Sequence, residues 1–264
     1  MTIGNPLEWL SGIFNRKEQL PSLKFEQSWL TYLETEFPLY HKLPSPLKTK
    51  LQDRIVSFIS KVNFAGCNGF QLTDEVIVLI SAQACFITLN LEEPCYPKLQ
   101  SILVYPSTFS SIQAHQNSDG VITEEIISRL GESWDNGTVI LAWDSVFHGA
   151  RNIQDGHNVS IHEFAHQLDQ EDGSTDGAPV MKLSRNELKI WCSVMQESYD
   201  KFLKIADKKG KTVIDHYGAS HPSEFFSVVT ETFFEKPKQL HKKWPELYKL
   251  MKNFYRLDPL SWYL

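Results

Sequence analysis

The sequence predicts an α+β fold, mostly helical, with a small β-sheet set beside a helix that carries a metal-binding signature. Three observations predict it. His162-Glu163-Phe164-Ala165-His166 lies in a stretch of helical character, apolar stripes at helical spacing run through both halves of the chain, and short β-rich pieces fall between Ser101 and Asp144, just ahead of the signature. An apolar share of 42%, with 12% aromatic, is enough to bury a substantial core in 264 residues. No linker, repeat or low-complexity run divides the chain. It reads as one domain, 1–264, with residues 1–70 a helical N-terminal portion and about 71–264 the core that carries the site.

Residues 1 to about 70 read as helical, interrupted by Pro21, Pro38, Pro44 and Pro46. Within them Leu51, Ile55, Phe58, Ile59 and Val62 form a core-facing stripe on a helix from Leu47 to Val62. From Thr73 to Leu91 the chain is more continuously apolar, and its length favours a buried helix with Thr73 or Asp74 capping its start. Ser101 to Tyr105 reads as a strand stopped by Pro106, Val121-Ile122-Thr123 as a weaker strand and Gly137 to Asp144 as a stronger one. The last of these has two readings. Its exposed edge could hold an extended peptide by main-chain hydrogen bonds, or it is an ordinary core strand.

Asn158 is placed to cap the signature helix, in which Val159, Phe164, Ala165 and Leu168 can pack one side. Asp169 to Pro179 is polar and rich in Gly and Asp, hence a loop. A helix follows from Ser184 to Ala206, with Leu188, Trp191, Val194, Met195, Tyr199 and Phe202 as its stripe. Lys208-Lys209-Gly210-Lys211 then reads as a solvated basic turn, and His221-Pro222-Ser223-Glu224 opens a helix that runs through Phe234.

Composition excludes some roles. The formal charge is −6 and the Lys and Arg residues are scattered, which argues against direct nucleic-acid binding. Cys67, Cys85, Cys95 and Cys192 form no CxxC pair, so neither a zinc ribbon nor a redox dithiol is indicated. The first ten residues, Met1 to Leu10, lack a signal-peptide pattern, and no run approaches the roughly 18 apolar residues of a membrane span. A cytoplasmic protein with free thiols is the expectation.

The chemistry lies in the signature. His162 and His166, four residues apart, share a helical face and offer two nitrogens to one zinc ion, with Glu163 beside them as a general base. A catalytic zinc takes three protein ligands, and three residues compete for the last place. Asp172 stands where a metzincin ligand would, but Asp169 replaces the glycine that makes the return turn easy. Glu224, in the first turn of a downstream helix, fits a gluzincin. Glu231, seven residues on, lies along nearly the same face and could be a ligand or could orient a ligating histidine. Asp169 could orient a ligand or simply close its helix. A structural zinc fits less well, since such sites are usually closed by four ligands rich in cysteine.

Two runs carry a family resemblance: Trp143-Asp144…Gly149-Ala150-Arg151…Asp155-Gly156-His157-Asn158…His162-Glu163-Phe164-Ala165-His166-Gln167-Leu168-Asp169, and Tyr217…Glu224-Phe225-Phe226…Glu231-Thr232-Phe233-Phe234. With Leu103-Val104-Tyr105-Pro106 and Phe254-Tyr255…Asp258-Pro259, the chain resembles the Mlc titration factor A family of zinc peptidases from about residue 70 onward, and more loosely before it. The resemblance implies a zincin-like (gluzincin) metallopeptidase fold, one Zn²⁺ held by His162, His166 and Glu224, and aminopeptidase-like action on a peptide or protein substrate. It implies a catalytic core similar to that of anthrax lethal factor, where a tyrosine seven residues before the glutamate ligand faces the metal; Tyr217 stands in that place. The family also binds a transcriptional repressor of sugar uptake, Mlc. A Mlc-like partner is therefore implied, either beside peptidase action or as the main role.

Overall fold

The computed structural model describes residues 23–92, 95–116, 122–129, 131–134, 137–179 and 183–263. The readings made above for residues 1–22, including Pro21, and for Val121 lie outside the described residues.

Prolines punctuate the N-terminal helices α1 (Gln27–Glu36), α2 (Pro38–Lys42) and α3 (Ser45–Lys61). Pro38 and Pro46 sit in the first turns of α2 and α3, where the missing N–H has no intrahelical partner to lose. Leu33, Leu51 and Ile55 are fully buried, so the expected stripe does face the core. After strand β1 (Asn63–Gly66), helix α4 (Asp74–Ile87) is capped by Thr73, whose hydroxyl accepts from the Val76 N–H. Every residue of α4 from Val78 on is buried, and its polar members turn back on the helix, Ser81 to the Ile77 carbonyl and Gln83 to that of Leu79. It ends four residues earlier than its apolar run suggests, and beyond its end the Arg54 guanidinium takes the carbonyls of Thr88 and Leu91.

The sheet has the order β1-β2-β6-β5, with β2 (Ser101–Tyr105), β5 (Gly131–Trp134) and β6 (Thr138–Ala142). β1, β2 and β6 are parallel, and β5 runs antiparallel to β6. A separate hairpin, β3 (Phe109–Gln116) and β4 (Ile122–Arg129), is inserted between β2 and β5, so the weak strand expected at Ile122 belongs to a longer one. The expected strand at Gly137–Asp144 forms as β6, but its peptide-holding edge does not exist: β2 covers one side and β5 the other. The sheet's outer strands are β1 and β5. Trp143 and Asp144 leave the strand and start helix α5 (Trp143–Arg151), which sequence periodicity did not single out.

The remaining elements are α6 (Val159–Asp169), a 3₁₀ turn at Gln170–Asp172, α7 (Arg185–Asp207), a 3₁₀ turn at His216–Ala219, and α8 (Pro222–Glu235). Helices α9 (Pro237–Lys243) and α10 (Pro245–Tyr255) and a 3₁₀ turn at Pro259–Tyr263 complete the chain. Ser184 opens α7 with a full capping box to Glu187, as the S-x-x-E spacing demands. Helix α8 is buried along nearly its whole length. Phe226 meets Trp191, which meets Phe254, while Phe233 and Phe234 pack on Tyr255. One contiguous apolar cluster runs from Trp29 in α1 to Leu257 after α10. Among the described residues no helix is long and apolar enough to cross a membrane.

Candidate metal centre

The site is built where α6 crosses α8. Helix α6 is anchored at its start by Asn158, which is fully buried. Its Oδ1 accepts from the Ile161 N–H, as a cap should, and its Nδ2 donates to the Gly149 carbonyl and to Glu235 Oε1. Its own N–H donates to Glu231 Oε2 at 2.5 Å. Ile161, Phe164, Ala165 and Leu168 bury one face completely, leaving His162, Glu163 and His166 to line the other.

Two histidines and one carboxylate converge there. Glu224 Oε2 lies 2.9 Å from His162 Nε2 and 3.2 Å from His166 Nε2, and the two Nε2 atoms are 3.2 Å apart. Among the described residues this is the one gathering of three such groups, with all ligand atoms within 4.8 Å of one another. Two imidazole nitrogens and a carboxylate oxygen aimed at one point are the donor chemistry of a catalytic zinc, so the residues fit the metal that the signature suggests. On the outer side, His162 Nδ1 is 2.8 Å from Glu231 Oε1. With Nδ1–H given to Glu231, Nε2 keeps its lone pair for the centre. Glu231 thus stands behind a histidine, and Asp172 is an exposed residue whose carboxylate accepts from the Ser174 N–H in its own turn.

The site's electrostatics follow from burial and these contacts. Burial by itself pushes the His162 imidazole down, but the carboxylates of Glu224 and Glu231 reverse this and hold its pKa well above the ordinary value. Burial pushes Glu224 up, and its hydrogen bonds to both histidines outweigh that and hold it far below the usual carboxylate range. Glu163, only 7% exposed, is pushed up by desolvation. Asp169 is raised to about 6, chiefly by burial, although its Oδ2 accepts from the Gly177 N–H. Its Oδ1 and the Nδ1 of His166, three residues earlier, are both buried without a partner.

Two glycines allow close approaches on which the site depends. A Cβ on Gly131 would lie 2.7 Å from both Cγ and Oε1 of Glu163 and 2.8 Å from Val159 Cγ2, so only glycine lets the outer strand β5 rest on this carboxylate. A Cβ on Gly218 would meet Val228 Cγ2 at 2.5 Å, so glycine lets the turn carrying Tyr217 press onto α8. Asp215 Oδ1 accepts from the Tyr217 N–H and fixes that turn. The Tyr217 ring centroid is 5.9 Å from that of His162, and the side chain is 55% exposed at the mouth of the site.

Sequence reasoning missed Glu235, Asn158 as a hub, and Gly131. A signal for the first was present: Glu224, Glu231 and Glu235 recur at turn spacing on a helix whose other residues are largely apolar, and buried carboxylates in such company need partners. Glu235 accepts from the Gly156 N–H and Asn158 Nδ2, and burial beside Glu231 raises its pKa well above the usual range. The geometry makes Glu231→Gln informative. The amide cannot hold the Nδ1 proton as the carboxylate does, so zinc affinity should fall about 10- to 100-fold, read by competition with a chromophoric chelator, with an unchanged far-UV spectrum.

The sequence pattern described as glucose-regulated metallo-peptidase M90 matches residues 13–256. An uncharacterized protein of Synechocystis sp. is 42% identical over 246 residues, 93% of this chain and 89% of its own length. The Mlc titration factor A of Serratia proteamaculans is 28% identical over 83% of this chain and 85% of its own length. That of Pectobacterium atrosepticum is 28% identical over 94% and 91%.

Proposed function

The chain belongs to the glucose-regulated metallo-peptidase M90 family, and from that membership we propose a zinc-dependent, aminopeptidase-like peptidase. In this reading His162, His166 and Glu224 hold the zinc, Glu163 is the general base and Tyr217 a hydrogen-bond donor to the reacting carbonyl. The observation that carries it is the convergence of three candidate ligand atoms where the residue next to His162, Glu163, is a buried carboxylate. A zinc ion held there supplies a Lewis acid that acidifies a water and polarises a carbonyl.

The chain's own groups do the rest. Glu163 accepts the proton of the attacking water and passes it to the leaving amine. Its raised pKa brings it closer to neutrality, where a group can both take and return a proton. The Tyr217 hydroxyl donates to the oxygen on which negative charge develops. Glu231 keeps His162 in the tautomer that presents Nε2. The outer strand β5, seated on Glu163 through Gly131, offers to an extended substrate the edge on which no other described strand pairs.

The test is hydrolysis of a panel of amino-acid p-nitroanilides and short peptides by zinc-loaded protein, with chelation and zinc restoration as controls. Turnover of free-amino substrates that vanishes on chelation supports the reading; none on any substrate sinks it. Tyr217→Phe should lower kcat about a hundredfold with KM little changed. Unchanged kcat would reduce Tyr217 to a surface residue. A second reading is favoured by the name of several relatives, Mlc titration factor A. On it, the chain binds a Mlc-like repressor in the cytoplasm and thereby acts on transcription, with or without peptidase action. A binding role alone has no physical need of Glu163.

A further inference from the structure

Beside the turn that carries Tyr217 lies a cavity of about 620 Å³. Its walls are the loop Asp155–His157 that leads into α6, the segment Lys209–His216 that leads into the Tyr217 turn, and Lys236, the residue after α8. Each wall therefore adjoins an element that supplies the site: α6 carries His162, the turn carries Tyr217, and α8 carries Glu224 and Glu231.

The two acidic residues in the lining are engaged by the protein's own donors. Asp215 accepts from the Tyr217 N–H through Oδ1 and pairs through Oδ2 with His157 Nε2 at 3.3 Å. Asp155 accepts from Asn152 Nδ2 and faces His148 Nε2 through Oδ2, and accepts from the His157 N–H through Oδ1. The basic groups are placed differently. Lys236 Nζ donates to the Asp155 backbone carbonyl at 2.6 Å, a neutral acceptor, and no ion pair to it is found among the described residues. Lys209 and Lys211 are exposed members of the same lining, either side of Gly210. The basic turn that the sequence suggests is merely solvated is thus part of a cavity wall. In a chain of net charge −6, this cavity gathers three ammonium groups against two carboxylates, and it reaches the centre through Asp215, which holds the Tyr217 turn whose ring lies 5.9 Å from that of His162.

We propose that this cavity is a substrate subsite for a carboxylate of the peptide, either an Asp or Glu side chain near the scissile bond or the peptide's C-terminus. The proposal rests on the peptidase reading, since it is a peptide that would bring this anion to the centre. A carboxylate entering the cavity exchanges water for up to three charge-assisted contacts without displacing any of the bonds that hold Asp155 and Asp215.

The test uses matched peptides in which Glu is scanned across positions flanking the cleaved bond and compared with Gln at the same positions, each with a free or an amidated C-terminus. Zinc-loaded wild-type protein should show at least one Glu position, or the free C-terminus, favoured about tenfold in kcat/KM, mostly through KM, and less so at high salt. Loss of the preference on amidation identifies the C-terminus as the source; its survival identifies the side chain. In K236M, and independently in the exposed double variant K209Q/K211Q, the ratio of acidic to neutral peptide should approach one. Equal cleavage of Glu and Gln peptides by the wild type, or a preference that survives in both variants, overturns the subsite. Should no peptide be cleaved, the peptidase reading fails separately. The subsite is then judged by calorimetric binding of the same peptides to zinc-loaded protein, and equal affinity for Glu and Gln peptides overturns it.

Discussion

Glu163→Gln should lower kcat on every cleaved peptide by about 10²- to 10⁴-fold while leaving bound zinc unchanged. The amide keeps the side chain's volume, which matters because Glu163 is 7% exposed and lies directly under Gly131. What is lost is the carboxylate that immediately follows His162 on α6. The substitution spares every atom of the converging ligand set, which is formed by His162 Nε2, His166 Nε2 and Glu224 Oε2. Zinc content measured by atomic emission and kcat measured on the best peptide therefore separate chemistry from folding. A variant with full zinc and undiminished turnover would remove Glu163 from the mechanism. Folding should not suffer, because an amide replaces a carboxyl that burial already drives toward its neutral form.

What could be read from the sequence, and what could not, divides along local and non-local lines. The caps at Thr73 and Asn158, the stripes of α3 and α7 and the continuous apolar run of α4 depend on residues a few positions apart, and they form as the sequence predicts. The pairing of α6 with α8 spans about sixty residues. Spacing left Asp172, Glu224 and Glu231 in competition, and it was the family resemblance that favoured Glu224, whose carboxylate the fold brings to both histidines. The two readings of the strand at Gly137–Asp144 stayed open for the same reason, and the structure makes it a core strand. β6 is continuously apolar because it is covered on both faces and paired on both sides, but which short strand lies outside it depends on a hairpin inserted between β2 and β5. Helix α5 has only nine residues, too few for its period to stand out next to a strand.

Metal-free protein should become more stable, not less, as the pH falls from 8 to about 5.5. Asp169 carries the clearest share. Burial raises its folded pKa from 3.8 to about 6, so between those values the native state keeps a proton that the unfolded chain has lost. Stability therefore falls as pH rises through that window, by about 3 kcal/mol once both states are ionised. His162 acts in the same direction: the stabilisation from its raised pKa is fully present below the ordinary histidine value and is lost as pH rises through the raised one. Glu163 and Glu235, also raised by burial, add to the slope. Glu224 and Asp258 oppose it only in stronger acid. Their folded pKa values are lowered, so their contribution is complete above the ordinary carboxylate range and disappears below it. Between pH 8 and 5.5 Asp169 recovers about 1 kcal/mol of its roughly 3 kcal/mol, roughly 2 to 4 °C of melting temperature in a domain of this size. Asp169→Asn should flatten the curve by that amount, and a melting temperature that stays level or rises with pH in the chelated wild type would refute the assignment. Zinc should tilt the slope the other way, because His162, His166 and Glu224 must all be deprotonated to bind it.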